Sequence, residues 1–264
     1  MEIKLKNVSY SIFKNTSLER MVLNNISMDI RLQKITAIMG KSGSGKSSLV
    51  QIISGIVRPT SGLISIDECS SLKIGLVFQN SDDQFIGYTL REELSYYNIS
   101  FDQEMINKIL INLGLNLSYL DIPITSLSSG EMKKVAIATV LCINPDVIVM
   151  DEPSIGLDSS SKDNLVKLLR KLKNKQNKTI IIVSHDSEFI YKVSDYIFIL
   201  DNGKIVYQGT KNYLFKKTDT LLKHGLEIPH FIWFSNLVKK RKNIELGYRD
   251  DINDLVKDIY RHAR

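Results

Sequence analysis

Cysteine is nearly absent. Cys69 and Cys142 are the only two in 264 residues, too few for a disulfide framework. No C-x-x-C pair and no His-rich tract suggests a zinc site, and the residues fit a reducing compartment. Long apolar runs are missing as well. Val147 to Met150 and Ile180 to Val183 are aliphatic runs of only four residues, whereas a membrane helix needs about 20. The first residues, Met1 to Lys6, alternate polar and apolar as a strand does, without the apolar stretch of a signal peptide. The expected location is therefore cytoplasmic. There are no internal repeats, low-complexity linkers, RNP-like patterns or zinc fingers, so nothing supports nucleic acid as a partner. With 43% hydrophobic and 24% charged residues, the chain is neither disordered nor collagen-like.

The net charge is +6, unevenly placed. From Lys216 to Arg264 there are 11 Lys and Arg against 7 Asp and Glu, which leaves only +2 for the preceding residues. Such a tail is either a solvated face or a surface attracted to anionic lipid headgroups.

Apolar runs and turns alternate in a way that sets the fold class. Residues 2–9 and Ile26 to Ile30 read as strands, as do Ile64 to Ile66 and Ile74 to Phe78. Ile35 to Met39, Val147 to Met150 and Thr179 to Val183 are near-continuous apolar strands of the kind buried on both faces. Helices are predicted over Lys46 to Ser54, Gly130 to Leu141 and Ser159 to Lys173, the last with Leu165, Leu168, Leu169 and Leu172 on one stripe. Residues 81–126 read as a helical insertion, and Asp201-Asn202-Gly203 as a hairpin turn. The expectation is an α/β domain with a mainly parallel sheet covered on both faces, followed by a helical tail.

Gly40-Lys41-Ser42-Gly43-Ser44-Gly45-Lys46-Ser47 fits G-x-x-x-x-G-K-[ST], with a strand before it and a helix after it. Glycines let the loop curl until several backbone N–H groups converge on phosphate. The helix that begins near Lys46 adds its positive dipole end. Lys46 is expected to reach the β- and γ-phosphates, Ser47 to ligate Mg²⁺, and Ser48 to continue the cradle. Val147 to Met150 then delivers Asp151 and Glu152 to a strand end, where α/β sheets bind ligands. Asp151 suits Mg²⁺ and Glu152 suits a general base that polarises the attacking water.

Three further features depend on one another for their meaning. Leu127-Ser128-Ser129-Gly130-Glu131 precedes the acidic strand, Gln79 follows the strand ending at Phe78, and His185 follows Ile182-Val183-Ser184. Each alone reads as a helix cap or a loop residue. Together, in this order, they resemble the ATP-binding cassette (ABC) ATPases: Leu127 to Glu131 is similar to the L-S-G-G-Q signature, Gln79 to the Q-loop glutamine, Gly156-Leu157-Asp158 to the D-loop and His185 to the switch histidine. The resemblance covers about residues 2–215.

It implies a P-loop NTPase core with a mainly parallel sheet, a small antiparallel subdomain and a helical signature subdomain over about 81–145. It also implies ATP and Mg²⁺ as cofactors, with Ser47, Asp151 and Gln79 at the metal and Glu152, His185 and Gln79 in catalysis. Two subunits would pack head to tail, so that Ser128 and the Gly130 N–H of one cover the γ-phosphate held by Lys46 of the other.

The chain departs from the family pattern in three places. Ser129 stands for a glycine and Glu131 for the glutamine, which should weaken closure modestly or mark one unequal site of a heterodimer. The adenine-stacking aromatic is replaced by Ile12, leaving Tyr10 or Phe13 to serve, although Tyr10 suits the core equally. The stretch from Asp67 to Ile74 is shorter than usual.

Val77-Phe78-Gln79-Asn80-Ser81-Asp82-Asp83-Gln84-Phe85 further resembles the V-F-Q-N-P-D-x-Q-F stretch of energy-coupling factor (ECF) transporter ATPases, with Ser81 for the proline. The tail over 216–264, with Gly225 to Pro229 and then Phe231, Phe234, Leu237 and Val238, is similar to the dimerisation extension of that group. This implies a second ATPase subunit (identical or not), a membrane scaffold, a substrate-binding membrane subunit, and a peripheral place on the cytoplasmic face. The cargo of that group is a vitamin or a transition-metal ion. An exporter ATPase and a soluble ABC ATPase acting on ribosomes are the alternatives. The Q-loop and tail argue against the first. The single cassette without a long coiled coil argues against the second.

Overall fold

The computed structural model describes residues 2–66, 72–97, 102–242, 244, 257 and 260. Its centre is a six-stranded sheet built from β3 (Ile35–Met39), β5 (Ile74–Val77), β6 (Val147–Asp151), β7 (Thr179–Val183), β8 (Tyr196–Asp201) and β9 (Lys204–Thr210). The order is β5-β6-β7-β3-β8-β9, parallel except for β9. Every residue of β3, β6 and β7 is buried, which is why these strands are apolar almost throughout. The β8–β9 hairpin turns at Asn202 and Gly203, both left-handed (φ 47° and 72°), the conformation a tight hairpin of this hand requires.

Alternate residues of the central strands feed two cores. Ile35, Ala37, Ile148, Met150, Ile180 and Ile182 point to one face. It is covered by α4 (Ser129–Cys142), α5 (Ser159–Gln176) and α6 (Ser187–Val193). Ile38, Val147, Val149, Ile181 and Val183 point to the other face. There they meet α1 (Lys46–Ile53) and the antiparallel sheet of β1 (Glu2–Ile12), β2 (Arg20–Arg31) and β4 (Ser61–Ile66), ordered β2-β1-β4. β2 is much longer than Ile26 to Ile30. Its pairing with β1 shifts register at bulges, and Asn7 and Asn25 adopt positive φ, which breaks the alternation a sequence reader follows. The expected short stretch from Asp67 to Ile74 lies partly outside the described residues, Cys69 included.

The helical segment carries α2 (Leu90–Tyr96) and α3 (Gln103–Asn112), with single 3₁₀ turns at Ser81–Gln84, Leu117–Leu120 and Ile124–Ser126. Helix α5 runs one turn past Lys173 and stops at Asn177, which takes the left-handed cap conformation (φ 53°). At the C-terminal end, α7 (Lys211–Lys216), α8 (Thr218–Lys223) and α9 (His230–Lys242) do not stand apart. Leu221, Leu226 and Ile232 bury in the same core as Leu214 and Phe215. Tyr191 of α6 stacks edge-on against Phe215 and Phe231 at 5.0 and 4.7 Å. The expected tail beyond Lys242 lies almost wholly outside the described residues.

This topology places four loops at the carboxyl edge of the parallel strands: those after β3, β5, β6 and β7. They carry the phosphate-type loop, Gln79, Asp151-Glu152 and His185.

Candidate nucleotide site

The loop after β3 is shaped by glycine at positions where a side chain would clash. A Cβ on Gly40 would lie 2.3 Å from the Leu200 carbonyl oxygen, and Gly45 combines φ 103° with a would-be contact of 2.8 Å to Leu23. The loop therefore packs against its neighbours and delivers the N-terminus of α1, whose first turn contains no acidic residue to compete for an anion. Lys46 folds back over the loop, its Nζ donating to the carbonyls of Gly40 (2.8 Å) and Lys41 (2.9 Å). Burial pulls the Lys46 pKa down, against the pull of Glu152 and Asp151.

The last residue of β6 is Asp151, buried, with its Oδ1 lacking a hydrogen-bond partner among the described residues. Burial raises its pKa, while a hydrogen bond with the Ser47 side chain works the other way. Glu152 follows at φ 49°, a left-handed conformation that is uncommon outside glycine and costs backbone energy. Its N–H still donates to the Val183 carbonyl at 2.8 Å. The turn brings its carboxylate, only 4% exposed, against the loop after β7. The Ser184 hydroxyl donates to Oε2 at 2.8 Å, the His185 N–H to Oε1 at 3.2 Å, and His185 Nδ1 lies 2.7 Å from Oε1. The His185 side chain is 61% exposed, so the pair joins a buried carboxylate to an imidazole open to the cleft.

The cleft has a volume of about 800 Å³ and is lined by Lys41, Ser42, Gly43, Gly45, Lys46, Ser47, Ser48, Gln79, Asp151, Glu152 and His185. Gly40 and Ser44 lie just beneath this lining and shape the loop: Gly40 receives Lys46, and Ser44 is buried. Four predicted residues are not brought to the cleft, among them Phe13, whose side chain is exposed elsewhere. Tyr10 packs half-buried against the second core, while Ile12 takes the lining position. Ser128 and Gly130 sit at the start of α4, where a Cβ on Gly130 would come 2.9 Å from the Gly156 carbonyl oxygen of the D-loop.

Several site residues were not foreseen. Ser184 adjoins His185, and its contact with Glu152 needed the β6–β7 pairing to become visible. Gly225, Leu226 and Glu227, from the segment after α8, line the cleft together with Ile12 and Arg20. Glu131 occupies the Ser128 hydroxyl. Ser128 Oγ donates to Glu131 Oε2 at 2.6 Å, the Ser128 N–H to the same oxygen at 2.9 Å, and the Tyr119 hydroxyl to Oε1 at 2.5 Å. These bonds, that from the Ser128 side chain first, lower the Glu131 pKa to about 2. The S-x-x-E spacing of a capping box was the sequence signal for that contact.

The residues fit Mg²⁺ in a limited way. Among the described residues no three His, Cys, Asp or Glu side chains gather to hold a metal. The unpartnered Asp151 Oδ1 beside the Ser47 hydroxyl supplies oxygen donors of the kind Mg²⁺ takes, with the remainder coming from water and phosphate.

A lysine-bearing glycine loop, a buried acid pair and a histidine from the loop after β7 surround one cleft, and the family follows from comparison with known proteins. The family model described as ABC transporter matches residues 23–155. An energy-coupling factor transporter ATP-binding protein EcfA2 of Staphylococcus aureus (strain MRSA252) is 31% identical over 88% of this chain and 88% of its own length. The chain belongs to the ABC transporter ATPase family. A second ECF transporter ATP-binding protein EcfA2, from Staphylococcus epidermidis (strain ATCC 12228 / FDA PCI 1200), is 31% identical over 94% of this chain and 91% of its own. Among solved structures, cbiO1 of Clostridium perfringens, part of the ABC transporter complex cbiONQ, is 29% identical with a TM-score of 0.69, over 89% of this chain and 98% of that one. The dimeric post-hydrolysis state of the ATP-binding cassette MJ0796, bound to ADP and phosphate, gives a TM-score of 0.71 at 28% identity, over 79% of this chain and 98% of that one. The P-loop fold and the ATPase activity expected of an ECF-type ABC ATPase are thus those of this chain. Among the described residues of this ABC ATPase, no helix is long and apolar enough to cross a membrane.

Proposed function

We propose that this ABC ATPase is the energy-coupling subunit of an ECF-type importer. It sits peripherally on the cytoplasmic face and pairs with a second ABC ATPase, identical or not. The pair drives a membrane scaffold and a separate substrate-binding subunit that carries a vitamin or a transition-metal ion. The observation that carries this reading is the likeness to ECF relatives, which runs past the cassette to 88–94% of the chain. The C-terminal segment over 216–264 is assigned to contact between the two ATPases.

The geometry supports a head-to-tail mechanism. Lys46 exchanges the Gly40 and Lys41 carbonyls for β- and γ-phosphate oxygens, and the N–H groups of the loop cradle the same phosphates. Ser47 and Asp151 would hold Mg²⁺, with Gln79 approaching from β5; when bound, the ion neutralises charge on the phosphates. Glu152 takes the proton of the attacking water, and Ser184 keeps its carboxylate aimed. His185 is oriented by its Nδ1 contact with Glu152 and offers Nε2 to the γ-phosphate. The site opens to solvent on one side, and the Ser128–Gly130 helix start of a second subunit supplies the missing wall. Binding energy spent on that closure, and its loss on hydrolysis, moves the scaffold.

Co-purification from detergent-solubilised membranes tests this function. Recovery of hydrophobic membrane subunits with the tagged chain is the expected outcome. Recovery of ribosomes without membrane subunits overturns it.

A further inference from the structure

The mechanism above leaves one buried cation unused. Lys133 lies in the second turn of α4 with 4% exposure, among Ala136, Ile137 and Val140 on the buried face of that helix. Burial lowers its pKa, and the charges of Asp151 and Glu152 oppose that fall. A buried ammonium is costly unless hydrogen bonds and nearby charge compensate it. Here the compensation has a particular shape. The Nζ donates to the Phe78 carbonyl at 3.0 Å and to the Gln79 carbonyl at 2.6 Å. Among the described residues it makes no direct ion pair; the acid pair acts on it only through space.

A second tether holds the same loop. The Phe78 N–H donates to Gln84 Oε1 at 3.2 Å, and Gln84 Nε2 donates to the Ala136 carbonyl of α4 at 2.8 Å. Both backbone groups of Phe78 and the carbonyl of Gln79 are therefore bound, directly or through one side chain, to the helix that begins at the signature. Gln79 itself is exposed at the cleft edge. From Ser129 to Lys133 is about one helical turn, roughly 6 Å.

We propose that Lys133 is a positioning residue for Gln79: its ammonium, inserted from α4, fixes the backbone that presents the glutamine to the site. It thereby makes the signature helix and the Q-loop one rigid unit. Displacement of the helix start by the other subunit then moves Gln79 with it. The inference rests on the assignment of Gln79 to the nucleotide site.

The test is a double-mutant cycle on the full chain in the complex in which it purifies, with steady-state ATP turnover and the binding of a fluorescent ATP analogue as readouts. Lys133→Met is expected to lower kcat about 10- to 100-fold, the scale of a misplaced reacting group, and to leave nucleotide affinity within about threefold of the parent. Lys133→Arg, which keeps the charge and the donors, should restore most of the rate. In a Gln79→Ala background, Lys133→Met should cost no more than about a further twofold, since coupled residues do not add. Losses that multiply, a parental kcat in Lys133→Met, or an arginine variant as slow as the methionine one overturn the inference and leave Gln79 in place. A parental rate in Gln79→Ala removes the assignment of Gln79 and the inference with it. If Lys133→Met does not fold, Gln84→Ala, which cuts the neutral tether to the same loop, decides in the same cycle: non-additivity with Gln79→Ala supports the rigid unit and additivity refutes it.

Discussion

The two ends of this chain that would meet one nucleotide are built differently. At the phosphate-loop end the charged groups are buried and balanced before any ligand arrives: Lys46 and Lys133 face Asp151 and Glu152, and burial acts on both lysines and on Asp151. The signature end is exposed, and its serine hydroxyl is occupied by the carboxylate three residues on. The first end is preorganised to hold charge. The second is a well-capped helix start, which in the proposed head-to-tail pairing would have to release its own acid to receive a phosphate. In a low-dielectric setting, fixed charges and donors are worth more than in water, so the strong and the weak half of a composite site are distinguished by burial as much as by residue type.

The largest expected effect breaks the first end. Lys46→Ala leaves two buried carboxylates short of a counter-charge, and equilibrium binding of ATP should weaken at least about 30-fold, the counterpart of about 2 kcal/mol for a buried charged partner. Next comes Glu152→Gln, which keeps the shape and removes the base. Turnover should fall about 10²–10⁴-fold while ATP binding persists and a closed pair accumulates, measurable by phosphate release and by size-exclusion chromatography with ATP. A parental rate would show that Glu152 is not the base. At the signature end the change should be smaller and of opposite sign. Glu131→Gln removes a negative charge from the approach to phosphate, and ATP-driven association measured in a Glu152→Gln background should tighten about threefold, the scale of an exposed charge. An unchanged association constant would erase the proposed difference between the two ends.

The smallest effect concerns pH. Glu131 has a pKa of about 2 in the folded chain against an ordinary value of 4.5. A depressed carboxylate stabilises the fold fully above about pH 4.5, and that contribution is lost as pH falls towards about 2. The Tm gap between the parent and Glu131→Gln should therefore shrink on acidification through that window. A gap independent of pH would mean that the carboxylate is not held as the hydrogen bonds indicate.

Particular residues show which placements could be read from the sequence. The placement of the glycine loop, Asp151-Glu152, Gln79 and His185 was legible because each stands at or just past the end of an apolar strand, and parallel strands end on one edge. Lys133 was not, since in Glu131-Met132-Lys133-Lys134 it looks like one of two surface lysines, and only the packing of α4 against β5 separates the buried one from its neighbour. Tyr10 was a candidate for the adenine because of its type, yet the pairing of β1 with β2 turns it to the core and leaves Ile12 at the cleft.

By itself the sequence determined the strand–loop–helix order and the chemistry carried at each strand end, because apolar periodicity and glycine geometry are local properties of the chain. Only the tertiary structure decided which charges are buried together, which hydroxyls are already occupied, and which part of the C-terminal segment reaches the cleft. Those depend on contacts between residues far apart in the chain, and on the dielectric that their packing creates.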